Sequence, residues 1–217
     1  MDQEELAAQL KKPDGKLGTE VAAMMNKGNE LINHWAIDAL QLQPNDKVLE
    51  IGMGNGYFVK NILNMHPSIQ YHGIDFSELM VDEAIRINDK YIASGRAGFS
   101  FGTASSLPFH SKTFTKFLSV NTLYFWGDAA AELSEIRRIL QPGGIAVFAI
   151  RSKSAMDFMP FTEYGFRKYN EEALHQLMIS NGFSIKGCLA KKEPGYMFEG
   201  TFIELENYVI SCEANGE

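Results

Sequence analysis

Cysteine is scarce in this chain, with two in 217 residues, Cys188 and Cys212. They lack C-x-x-C spacing and a His-rich partner segment, which excludes a disulfide framework, and with no metal-ligand spacing anywhere no bound metal is expected. Reduced thiols in a cytoplasmic protein are the expectation. Lys/Arg runs never exceed a pair (Lys11-Lys12, Arg137-Arg138, Lys191-Lys192). With a net charge of −7 and a pI near 5.3, that argues against nucleic acid or an anionic membrane as partner, because the whole-molecule field repels polyanions. No apolar stretch approaches the roughly 18 residues of a membrane span. The opening Met-Asp-Gln-Glu-Glu is acidic where a secretory signal is basic. Internal repeats and low-complexity tracts are missing too. What remains is 45% apolar and 22% charged residues, the balance of an ordinary globular chain of one-domain length, residues 1–217.

The most informative stretch is Lys47-Val48-Leu49-Glu50-Ile51-Gly52-Met53-Gly54-Asn55-Gly56-Tyr57-Phe58. A short apolar run stops at three glycines on alternate positions, and a helix-like pattern follows: a buried parallel strand, a tight turn and a helix start. Glycines tolerate positive φ and let a ligand approach the backbone, while the helix start offers free N–H groups. The dinucleotide fingerprint is G-x-G-x-x-G. Here the register is G-x-G-x-G, with Tyr57 where the third dinucleotide glycine belongs and Glu50 two places before the first. A carboxylate there repels a pyrophosphate but attracts the amino group of an amino-acid moiety. Glu50-x-Gly52-x-Gly54-x-Gly56 resembles motif I of the class I S-adenosylmethionine (SAM) methyltransferases.

Ile69 to Ser77 reads as a second strand ending in an acid, Asp75, which lies 19 residues beyond Gly56. That is close to the roughly 20-residue spacing of a carboxylate that takes ribose hydroxyls; Ser77 is the natural cap of the helix that follows. Then come Gly102-Thr103-Ala104-Ser105-Ser106-Leu107-Pro108-Phe109, the run Phe114 to Asn121, and Leu140-Gln141-Pro142-Gly143-Gly144 before another apolar strand. Their order is similar to the small-molecule branch of the same family over about Asn45 to Ile150.

Taken in order, residues 1 to about 18 read as irregular, and Thr19 caps one amphipathic helix running to about Leu42. Strands are expected at about 46–51, 69–74, 98–102, 115–121 and 144–151, with helices at 55–65, 77–94 and 128–141. Alternation of this kind implies parallel βαβ units in a doubly wound α/β sheet with helices on both faces. Ligands bind such sheets beyond the carboxyl ends of the strands, where Glu50, Asp75, Thr103 and Asn121 fall at four successive strand ends. Residues 152–169 read as an aromatic loop, 171–181 as a helix, and 183–190 and 201–210 as closing strands. The resemblance implies seven strands, the last two an antiparallel pair, in one domain made of an N-terminal cap (1–43), a cofactor core (44–151) and a closing segment (152–217).

The resemblance also implies roles. Glu50, Gly52, Met53, Gly54, Asn55 and Gly56 hold the methionine end of SAM, and Asp75 holds the ribose. Phe76 and Ser77 follow on the adenine side, where Thr103 and Ala104 line the edge, and Asn121 completes the cofactor set. Many relatives carry an acid where Thr103 stands. At the end of strand four the run Asn121-Thr122-Leu123-Tyr124 lacks the two prolines of the amino-directed nucleic-acid methylases. Met25, Trp35, Tyr124, Trp126, Phe158, Phe161 and Tyr164 are expected to wall the acceptor pocket. The implied activity is in-line methyl transfer from SAM, leaving S-adenosylhomocysteine, to a small, partly apolar acceptor, by a monomer or homodimer. No catalytic residue is identified. A non-catalytic SAM-binding domain and an NAD(P)-dependent oxidoreductase are the alternatives. Of the histidines, His66, His72, His110 and His175 are expected in solvent and His34 in a structural role.

Overall fold

The computed structural model describes residues 1–198 and 201–215. Three helices open the chain: α1 (Gln3–Lys11), α2 (Gly15–Gly28) and α3 (Glu30–Ala39). Then β1 (Lys47–Ile51), α4 (Val59–Leu63), β2 (Gln70–Asp75), α5 (Glu78–Ile87), α6 (Asp89–Ala93), β3 (Ala97–Phe101) and β4 (Phe114–Val120) follow. A 3₁₀ turn (Leu123–Phe125) leads to α7 (Ala129–Ile139) and β5 (Leu140–Arg151). The closing part holds α8 (Lys153–Met156), a second 3₁₀ turn (Pro160–Glu163), α9 (Glu171–Ser180), β6 (Phe183–Lys192), the short strands β7 (Tyr196–Phe198) and β8 (Thr201–Ile203), and β9 (Glu206–Ala214).

Seven strands form one sheet in the order β3-β2-β1-β4-β5-β9-β6. The first five are parallel, and β9 inserts antiparallel between β5 and β6. Successive residues of a strand face opposite sides, and β5 shows why both sides must be covered. Ala146, Phe148 and Ile150 enter one core with α7 and α9, while Val147 and Ala149 enter another with α3 and α4. An apolar run without polar alternation is the mark of a strand buried on both faces. The strand order reverses between β1 and β4, which opens the crevice at their carboxyl ends.

Several boundaries differ from the sequence reading. Residues 3–11 are helical, capped by Asp2, whose carboxylate accepts the Glu5 N–H at 2.8 Å; a mostly polar helix with Ala7 as its buried residue carries little periodic signal. The single helix expected over 19–42 is two, broken at Asn29 (φ −110°, ψ 14°). The helix expected over 55–65 starts only at Val59, because the glycine turn consumes the residues before it. The helix expected over 77–94 breaks at Asn88, whose side-chain amide donates to the Gly56 and Ala84 carbonyls at 3.1 and 3.0 Å. That break ties α5 to the glycine turn. The aromatic loop holds α8 and a 3₁₀ turn. Residues 201–203 pair with 196–198 as a separate two-stranded sheet, and 206–214 supply the sheet strand.

Candidate functional site

Beyond β1 the backbone makes three alternating left-handed excursions, at Gly52 (φ +74°), Gly54 (+57°) and Gly56 (+68°), a conformation that costs any residue with a Cβ. Each glycine has a different reason to be there. A Cβ on Gly52 would lie 2.0 Å from the Thr122 methyl, and one on Gly56 would lie 2.8 Å from the Asn88 amide. A Cβ on Gly54 would meet nothing within 4 Å. Gly54 therefore faces open space, the cleft itself.

Two buried carboxylates flank this turn. Asp75, at the end of β2, accepts the Gly54 N–H at 3.0 Å and the Ser77 N–H at 2.9 Å. Burial raises its pKa, and those backbone donors pull it back. Glu50 accepts the Tyr71 hydroxyl at 2.7 Å. Burial pushes its carboxyl up to about 7; the Tyr71 bond lowers it and the charge of Asp75 raises it. A pair of buried acids with spare lone pairs calls for a ligand bearing hydrogen-bond donors, positive at the Glu50 end.

Met53, Asn55, Phe76, Thr103, Ala104 and Asn121 line the same cleft, and so do Met25 and Trp126 among the residues assigned to the acceptor wall. Asn121 holds a left-handed backbone (φ +56°) at the end of β4, a conformation asparagine tolerates. Gly56 is buried behind the turn, and Ser77 caps α5 while donating to the Pro13 carbonyl at 2.6 Å. Neither lines the cleft.

Five aromatic residues expected in the pocket are elsewhere. Tyr124 is core: its hydroxyl donates to the Asn121 side chain at 2.9 Å and accepts the Arg151 N–H, and burial holds its phenol well above the ordinary value. Trp35 packs with the α3 face against the sheet. Phe161 packs edge-on against Phe166, which packs edge-on against Phe125, and Phe125 is the ring of that cluster that lines the cleft. Phe158 and Tyr164 are exposed away from it. An aromatic-rich segment buries its rings on one another as readily as on a ligand. Among the histidines, His72 is half-buried in β2, bonded to Ser100 at 2.9 Å, and burial lowers its pKa. His34 meets the Asn61 amide at 3.0 Å.

The sequence reading missed two groups. Asn29 and Asn33 line the cleft from the break between α2 and α3; the Asn29 side-chain oxygen accepts from Asn121 at 3.1 Å and from Arg151 at 3.3 Å, binding the N-terminal helices to the sheet. Glu132 on α7 is buried, lines the cleft, and has one carboxyl oxygen without a partner. Burial pushes its carboxyl up to about 7, against a nearby Gly127 N–H that lowers it. An acid in the first turn of a helix ordinarily reads as a dipole partner, so only packing could single it out.

A model of the methyltransferase domain matches residues 48–144. The chain is 30% identical over 133 residues to an uncharacterized methyltransferase, YdaC, of Bacillus subtilis, covering 61% of this chain and 71% of that protein. It is 35% identical over 118 residues to the putative methyltransferase YrhH of the same organism, covering 54% and 64%. A chain in the complex between the Haloferax volcanii Trm112 methyltransferase activator and a putative methyltransferase superposes with a TM-score of 0.81 over all of both chains, at 17% identity. With these matches and this sheet order, the chain belongs to the class I SAM-dependent methyltransferase family. Among the described residues no helix is long and apolar enough to cross a membrane.

Proposed function

We propose that this protein transfers the methyl group of SAM to a small, partly apolar acceptor held in the cleft above Gly54. The observation that carries this reading is the convergence of Glu50, Asp75 and a left-handed glycine turn on one open space, which suits a cationic amino acid joined to a ribose. Bound SAM supplies an activated methyl group on a sulfonium. Glu50 accepts the amino group, Gly52 to Asn55 follow the methionine chain with their backbone, and Asp75 takes ribose hydroxyls with the lone pairs its backbone donors leave free. Phe76 packs on the adenine. Met25, Phe125 and Trp126 exclude water around the acceptor, and Asn29 and Asn33 orient its polar end. Holding nucleophile and methyl carbon close and in line provides most of the acceleration, so no general base is assigned.

Glu132 is assigned to the adenine. One turn further along the same helix, Glu135 accepts the Leu107 N–H at 3.0 Å, and Arg138 donates to the Leu107 and Phe109 carbonyls. This clamps α7 to the loop that carries Thr103 and Ala104, and directs Glu132 at the base edge, where its free oxygen accepts the exocyclic amino group. Glu132→Gln keeps the shape, holds its amide oxygen on the Gly127 N–H and turns an NH₂ toward the base. Binding of S-adenosylhomocysteine relative to its hypoxanthine counterpart is expected to fall at least tenfold, since a hydrogen bond to a charged group contributes about 1.5–3 kcal/mol. An unchanged ratio rejects the assignment.

The direct test is calorimetric titration with SAM, S-adenosylhomocysteine, NAD and NADH, followed by turnover on candidate acceptors. Binding of NADH but not of SAM ends the reading; binding of SAM with no turnover on any acceptor makes the chain a SAM-binding domain. The same titration reads the state of Glu50. Its carboxyl sits near 7 in the free protein, and a cationic partner ionises it. At pH 6, binding is expected to release close to one proton, seen by comparing buffers of different ionisation enthalpy, and affinity should weaken as pH falls below about 7. For the free protein the sign is opposite. A raised carboxyl contributes its stability fully below the unfolded value near 4.5 and loses it as pH rises to about 7. Affinity that is flat from pH 5.5 to 8 would remove the amino group from Glu50.

A further inference from the structure

At the edge of the sheet opposite β3, α9 packs against the edge strand β6. Glu171 and His175 stand one turn apart on α9, and Cys188 comes from β6. One ligand atom from each lies within 4.8 Å of the other two, the one such grouping among the described residues. The His175 Nε2 is buried and has no hydrogen-bond partner, although a Glu171 oxygen lies 3.9 Å away. A buried ring nitrogen left without a partner costs free energy unless something occupies it.

Two uses of such a trio compete. A Cys–His pair can make a nucleophile, which requires a thiolate in a positive environment. Here burial, then the adjacent Glu171 carboxylate, push the Cys188 thiol up to about 11, the opposite of activation. A cation satisfies all three groups together: it neutralises the carboxylate, fills the imidazole nitrogen and displaces the thiol proton to solvent. Sulfur, nitrogen and carboxylate oxygen in one set select a borderline d-block ion over magnesium or calcium.

We propose that Glu171, His175 and Cys188 form a zinc-type divalent metal site that clips α9 to the sheet edge. Three protein ligands leave a fourth, tetrahedral position for solvent, consistent with the half-exposed His175 and exposed Glu171 at the surface. The site draws one ligand pair from a helix at i, i+4 and the third from a strand residue, so no sequence motif announces it. It is independent of the methyl-transfer cleft.

The test uses full-length, tag-free, metal-stripped protein titrated with Co(II). A thiolate-to-cobalt charge-transfer band with tetrahedral d–d absorption is expected, and Zn(II) should abolish both by displacement. Zn(II) at about a hundredfold above its Kd should raise the melting temperature by roughly 5–10 °C. Cys188→Ser is expected to lose the charge-transfer band, and His175→Ala to weaken binding at least tenfold with an unchanged circular dichroism spectrum. No thiolate band, a band that survives in Cys188→Ser, or equal affinity in His175→Ala would each overturn the proposal. Should Cys188→Ser fold poorly, His175→Ala decides alone, since that side chain is partly exposed.

Discussion

Gly54→Val is expected to yield a folded protein that does not bind SAM. The left-handed backbone at Gly54 costs a β-branched residue about 1–3 kcal/mol, which a chain of this size registers as a fall of a few degrees per kcal/mol in melting temperature. Nothing packs where the new side chain would go, so no steric collapse adds to that. The space it fills is the one the methionine chain is assigned to. Affinity for S-adenosylhomocysteine should drop at least a hundredfold, about 2.7 kcal/mol, with Gly54→Ala showing a smaller loss in the same direction. Circular dichroism and calorimetry on the same sample separate the two effects. Wild-type affinity in a folded Gly54→Val would mean that the turn is only a structural connection.

Gly52→Ala, two residues away, should fail in the opposite manner. Its Cβ would overlap the Thr122 methyl at 2.0 Å, and Thr122 is anchored by a hydrogen bond between its hydroxyl and that of Ser119. Overpacking costs about 1–3 kcal/mol and the left-handed backbone about 1–2 kcal/mol more. A fall of roughly 5–20 °C in melting temperature is expected, or loss of soluble protein. Thr122→Ser removes the offending methyl while keeping the hydroxyl, so the double variant should recover the steric part and leave the backbone part. If Gly52→Ala melts with the wild type, or if Thr122→Ser returns nothing, the overlap is not what makes glycine necessary there. The pair of variants tests whether one motif holds both a ligand-facing glycine and a packing glycine, which sequence register alone treats alike.

The parts of the site that were legible share a physical origin. Strand, turn and acid follow one another within a few residues at Glu50 to Gly56 and at Asp75, so local sequence carries both the conformation and the chemistry. Tyr124, Phe158, Phe161 and Tyr164 were assigned to the pocket on proximity to strand ends and Trp35 on its place in the N-terminal cap, and the chain used them otherwise. Tyr124 follows β4 directly, yet the 3₁₀ turn at 123–125 directs its ring inward and presents Phe125 to the cleft. One residue of rotation decides between core and pocket in such a turn. Glu132 went unnoticed for the converse reason. Its spacing is that of a solvated helix acid, and its burial emerges only in the packed fold, where Glu135 and Arg138 tie α7 to the 107–109 loop.

By itself the sequence determined the alternation of strands and helices, the parallel character of the first five strands, the glycine turn and its two acids, because these rest on periodicity and on backbone conformations that few residues tolerate. Tertiary structure alone decided where helices break, as at Asn29 and Asn88, which rings face the cleft, that Glu132 is buried beside it, and that Glu171, His175 and Cys188 meet across α9 and β6. Those outcomes depend on contacts between residues distant in the chain, and side-chain burial is set by what packs opposite, which no local pattern encodes.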